Sequence, residues 1–166
     1  MSPTNSGLTL VLASTSRYRR ELLERLKLPF KMVSPDVDET PHTAEPPAMT
    51  AARLALAKAQ AAHAQFPRAL IIGSDQVAFC EGERLDKPGD HAGAVRQLRH
   101  ASGKSVSFIT AVALVNTTSG RTQTKLVPTE VRFRKLSGRE IERYLQAEPA
   151  YDCAGSAKAE GLGIAL

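Results

Sequence analysis

The chain has 166 residues, 42% of them hydrophobic, which is ample for a buried core and excludes a disordered chain as the default. Its 22 basic and 17 acidic residues leave a formal net charge of +5, suited to polyanionic ligands, but 5% aromatics and no Trp provide no basic stretch interleaved with base-stacking rings, so no nucleic-acid partner is expected. Apolar runs are too short to span a bilayer, and the N-terminal MSPTNSG lacks the features of a secretory leader, so a cytoplasmic protein without membrane contact is expected.

In chain order, Leu8 to Leu12 reads as a strand ending at the small residues Ala13, Ser14, Thr15 and Ser16. A helix follows, with Tyr18, Leu22, Leu23 and Leu26 on one face and Pro29 as its bound. Phe30 to Ser34 is a short strand, and PDVDETPHTAEPP is a proline-fixed acidic loop. The alanine-rich run from Pro47 to Phe66 predicts a helix closed by Pro67. Ala69 to Val77 predicts a buried strand with Gly73 and Ser74 where its backbone needs room, followed by a polar loop through Gly82, Lys87 and Gly89. A third helix spans Ala92 to Ala101, Ser105 to Asn116 and Lys125 to Leu136 form a hairpin around TTSG, and Ser137 with Glu140 makes a capping box for a last helix that closes at Glu148 and Pro149. The end of the chain reads as an apolar, strand-like segment. The alternation predicts an α/β fold, a mixed twisted sheet flanked by helices, as one domain over residues 1–166.

Two features carry chemistry. The first strand delivers Ser14, Ser16, Arg17, Arg19 and Arg20 to a helix N-terminus, where backbone N–H groups and the helix dipole favour an anion; the competing reading is a plain Ser16 cap and a solvated arginine face. Asp75 beside a buried strand, Glu39 in the acidic loop and Lys58 in an alanine-rich helix are the candidates for metal and proton chemistry, each also readable as a cap, a loop acid and a snorkelling lysine. Lys87 before Pro88 could equally be an ordinary loop lysine. Cys80 and Cys153 have no Cys-x-x-Cys spacing and are expected to be buried thiols; the four histidines show no ligand spacing.

The blocks LVLASTSRYRRELLERL, PDVDET, RLALAKAQ, IIGSDQV, LDKPGD and CAGSAKAEGLGI, in this order, resemble the Maf family of nucleoside triphosphate pyrophosphatases over nearly the whole chain. The resemblance implies a Maf-like fold and a divalent metal, magnesium or manganese, held by Glu39 and Asp75. It makes Asp75 the proton acceptor, places Ser14, Ser16, Arg19, Arg20, Lys58 and Lys87 on the triphosphate, and carries a homodimer as a family expectation. Tyr18, Gln76 and Glu160 stand at three positions that sort the family's branches. Gln and Glu there resemble the YceF-like branch acting on 7-methyl-GTP, not the branch that cleaves dTTP and UTP. Tyr18 replaces that branch's Trp, and Arg17 stands where the family has Pro. Other noncanonical or pyrimidine nucleotides, or a nucleotide-binding role in septum formation, are the alternatives. Family members continue past the equivalent of Leu166, so the sequence as given is expected to be short of the family length.

Overall fold

A computed structural model describes residues 7–166, which form two compact units. The first comprises residues 7–75 and 110–127, the second 76–109 and 128–166. The first begins with β1 (Thr9–Ala13), α1 (Arg17–Glu24), β2 (Lys31–Val33) and α2 (Pro47–Ala61). Strands β3 (Ala69–Cys80), β5 (Ser105–Asn116) and β6 (Thr122–Arg132) each contribute residues to both units, and the second also holds β4 (Glu83–Arg84), α3 (His91–Ala101) and α4 (Gly138–Ala147). The six strands form a mixed sheet in the order β2-β1-β3-β5-β6, with β4 antiparallel to β3. No helix among the described residues is long and apolar enough to cross a membrane.

In the first unit β1 is parallel to both neighbours, with Val11 opposite Lys31 and Ile71, and Ala13 opposite Val33 and Gly73. A strand flanked on both sides and buried on both faces needs a continuous apolar run, which TLVLA supplies. The core here is mostly alanine and valine, around Ile71: Val11, Ala13, Ala59, Ala62, Ala69 and Val115. Gly73 shows why. A Cβ on it would lie 2.1 Å from the Ala55 carbonyl oxygen and 2.6 Å from the Ala59 nitrogen, so the backbone of α2 rests directly on β3. The room that the sequence reserved at Gly73 is filled by a helix backbone.

The second unit is packed with larger side chains, among them Leu85, Leu98, Val106, Phe133, Ile141, Tyr144 and Leu145. The capping box forms as its spacing requires: Ser137 Oγ accepts from the Glu140 N–H, and the Glu140 carboxylate accepts from the Ser137 N–H at 2.8 Å. Bonds from Ser137, followed by Arg134 Nη1, hold the Glu140 carboxyl down at about 2.

Several boundaries differ from the sequence reading. Helix α1 stops at Glu24, before Leu26, because Arg25, Leu26 and Lys27 bond three residues back and Lys27 adopts φ 55°, outside any right-handed helix. None of its residues is buried, and Leu22 and Leu26 are exposed. Strand β3 runs on to Cys80, since the polar loop after it folds back as β4, pairing Cys80 with Glu83 and Phe79 with Arg84. The final segment is a 3-10 turn over Leu162–Ala165 and not a strand: glycines at 161 and 163 flank Leu162, and i→i−3 bonds from Ile164 and Leu166 close the turn. Cys80 is buried, whereas Cys153 is only half-buried.

Candidate functional site

The site follows from the strand order. The chain leaves β1 through α1 to reach β2 on one side, then crosses through α2 to β3 on the other. The carboxyl end of β1, where its pairing with β3 stops, therefore marks a topological switch point, the place where open α/β sheets leave a crevice for ligands. The last β1–β3 pair is Ala13 with Gly73, so Ser14 and Ser74 lie one residue beyond it and Asp75 two. Asp75 is interior to its own long strand, within it and not merely beside it, but it lies past the end of the neighbouring β1. Its side chain is free of β1 without leaving the sheet.

Strand alternation puts Asp75 on the same face as Gly73, toward α2. Because Gly73 lets α2 approach so closely, Lys58 on that helix reaches the carboxylate: Lys58 Nζ is 2.7 Å from Asp75 Oδ1. The same ammonium is 2.8 Å from Glu39 Oε1. The Lys58 and Asp75 side chains are 7% and 9% exposed, whereas Glu39 is 61% exposed. A buried lysine at this cost in desolvation is retained by its partners, and two carboxylates share it.

Glu39 is held from behind. Glu45 accepts Arg53 Nε at 2.7 Å and Nη2 at 2.8 Å, and also bonds Thr50 Oγ1 and the His42 N–H. The Arg53 guanidinium also donates to the carbonyl oxygen of Thr40, the residue after Glu39. The acidic loop is thereby tied to α2, and the Arg53 contact, assisted by His42 and Thr50, keeps the Glu45 carboxyl down at about 2.

Around the helix start, Ser16 Oγ accepts from the Arg19 N–H and Ser14 Oγ accepts from the Ser16 N–H, so both hydroxyls shape the turn. Arg19 Nη1 donates to the Ser74 carbonyl oxygen at 2.8 Å, which brings a guanidinium to the backbone just before Asp75. Burial lowers its pKa from the ordinary value, against the opposing pull of Asp75 and Glu39. Arg20 is directed elsewhere, along the exposed side of α1 to Glu24 Oε1 at 2.8 Å. The Arg17 guanidinium lies 5.0 Å from the centroid of the Tyr18 ring, so that ring already meets a cation.

The structure thus brings Ser14, Ser16, Arg19, Glu39, Lys58 and Asp75 together in the first unit. Gln76, Lys87 and Glu160 belong to the second, with exposed side chains, on β3, on the loop after β4 and in the turn before the last 3-10 segment. Among the described residues no three His, Cys, Asp or Glu side chains cluster as metal ligands. The Glu39–Asp75 pair nevertheless suits a hard divalent ion of the kind held by one or two carboxylates together with substrate phosphates. Sequence reasoning missed that Lys58 joins both acids and that Arg19 bonds the Asp75 strand. The signal for the first was present, as a lone lysine between Ala55 and Ala59 opposite a Gly-x-Asp strand.

Residues 9–166 match the family described as Maf-like protein. The chain belongs to the Maf family. Relatives in that family include a protein named 7-methyl-GTP pyrophosphatase from Albidiferax ferrireducens, 58% identical over 157 residues that cover 95% of this chain and 79% of the relative. Proteins of the same name from Polaromonas sp. and Thiobacillus denitrificans are 58% and 55% identical, covering 100% and 98% of this chain and 75% and 81% of theirs. The Maf fold expected from the ordered sequence blocks is the fold found, a mixed sheet flanked by four helices.

Proposed function

We propose that the protein is a nucleoside triphosphate pyrophosphatase that hydrolyses 7-methyl-GTP to 7-methyl-GMP and pyrophosphate in the cytoplasm. The observation that carries this reading is the Asp75–Lys58–Glu39 cluster, its aspartate and lysine buried, at the β1/β3 switch point of a Maf-family chain, beside Arg19 and Ser14. Relatives at 55–58% identity with that printed activity support the substrate.

In this reading Asp75 orients a water molecule and takes its proton as the oxygen attacks the α-phosphorus. The bond from that phosphorus to the bridging oxygen breaks, and pyrophosphate leaves with the bond's electron pair. Arg19 and Lys58 bind the phosphate oxygens and offset the charge that accumulates on the leaving group. Arg20 joins them only by giving up Glu24. A magnesium or manganese ion held by Glu39 and Asp75 would supply Lewis-acid stabilisation of phosphate charge. Tyr18 and Glu160 choose the base: N7-methylation makes guanine cationic, and a cation favours an aromatic face and a carboxylate.

The test is pyrophosphate release from 7-methyl-GTP, GTP, UTP, dTTP and CTP with magnesium or manganese. Selective turnover of 7-methyl-GTP that falls roughly 10²- to 10⁴-fold in Asp75→Asn is expected. Nucleotide binding without pyrophosphate release in the wild type would replace the enzyme with a regulatory binding protein. Tyr18→Arg combined with Glu160→Gln should lower the 7-methyl-GTP to UTP rate ratio about five- to thirtyfold; an unchanged ratio removes the base assignment.

A further inference from the structure

We propose that Lys58 is a resident counter-cation that keeps the Glu39–Asp75 pair closed to a divalent ion until a polyphosphate draws the ammonium away. The inference rests on the reading of those two acids as a metal pair. One ammonium contacts both of them, at 2.8 Å and 2.7 Å, and so stands between the oxygens that a bridging ion would need. Arg19 adds a second cation within electrostatic reach of the same carboxylates. Two positive and two negative groups sum to zero, so the cluster presents no net negative charge to a bare dication. An ion that took both carboxylates would also strand a nearly buried ammonium without an anion, which is strongly unfavourable. A triphosphate removes both obstacles, because its oxygens accept Lys58 and Arg19 while its charge attracts the ion. Metal and nucleotide therefore enter this site together, and the free protein is a poor metal binder by construction.

The test reads Mn²⁺ binding directly, by the loss of the free-ion electron paramagnetic resonance signal, without turnover. Wild type and Lys58→Arg should bind Mn²⁺ weakly. Lys58→Met should bind one ion per chain at least about tenfold more tightly, since a unit charge at contact distance is worth one or more decades. That gain should vanish in Lys58→Met combined with Asp75→Asn. Equal Mn²⁺ affinity in wild type and a folded Lys58→Met overturns the proposal, with folding judged by circular dichroism.

A second arm needs no variant at Lys58. In equilibrium dialysis, wild type should retain Mn²⁺ in the presence of inorganic tripolyphosphate and lose it in its absence. Tight retention by the wild type alone, abolished by Asp75→Asn, also overturns the proposal. Failure of pyrophosphate release with this binding pattern intact would refute the reaction and leave the counter-cation role standing.

Discussion

The two units are built on opposite principles. The first has a core of four alanines, two valines and Ile71, with Gly73 under α2, and it buries two charged side chains, Lys58 and Asp75. The second has leucines, Ile141, Phe133 and Tyr144 in its core, and ion pairs such as Arg134 with Glu140 and Lys104 with Glu81 lie at its surface. Small side chains give little hydrophobic area per residue but let backbones close up, which positions Lys58 within 2.7 Å of Asp75. Large ones give the reverse. The difference teaches that close approach for chemistry and bulk burial for stability have been assigned to different stretches of one sheet.

That contrast can be broken most severely in the second unit. Leu98→Ala removes a fully buried leucine and should cost about 2–5 kcal/mol in thermal or urea unfolding, while pyrophosphate release by the folded protein stays near wild type. Gly73→Ala, in the first unit, drives a methyl into the α2 backbone; it should cost roughly 1–3 kcal/mol and lower pyrophosphate release as well, because Lys58 moves with the helix. If release were untouched, close packing at Gly73 would have no part in the site. The smallest effect compares one acid per unit. Glu45 and Glu140 both have carboxyls near 2, below the ordinary 4.5. A depressed carboxyl contributes stability above its unfolded value that is lost as pH falls through the folded one, here between about 4.5 and 2. Glu45→Gln and Glu140→Gln should each flatten acid unfolding in that window, and only Glu45→Gln should also reduce pyrophosphate release, through the loop that carries Glu39.

Much of this was legible from local chemistry. Ser137 with Glu140 announced a helix start, the run Leu8 to Leu12 announced a strand found at Thr9–Ala13, and Gly73 marked a place where the backbone needs room. What stayed hidden depended on partners distant in the chain. Asp75 could be read only as a carboxylate beside a buried strand; the shorter β1 next to it explains how a mid-strand carboxylate stands clear. The ties from Lys58 to Glu39 and Asp75 span segments that no helical or strand period relates. Two-residue β4 is too short to leave a pattern, and the apolar spacing of α1 points to a buried face that the described residues do not cover.

The fastening of the acidic loop to α2 has a mechanical consequence. Arg53 grips Thr40 and Glu45 from the helix that also carries Lys58, so Glu39 and Lys58 ride on one body, while Asp75 rides on the sheet. The close contact at Gly73 is thus the seam between the element that carries Lys58 and the strand that carries Asp75.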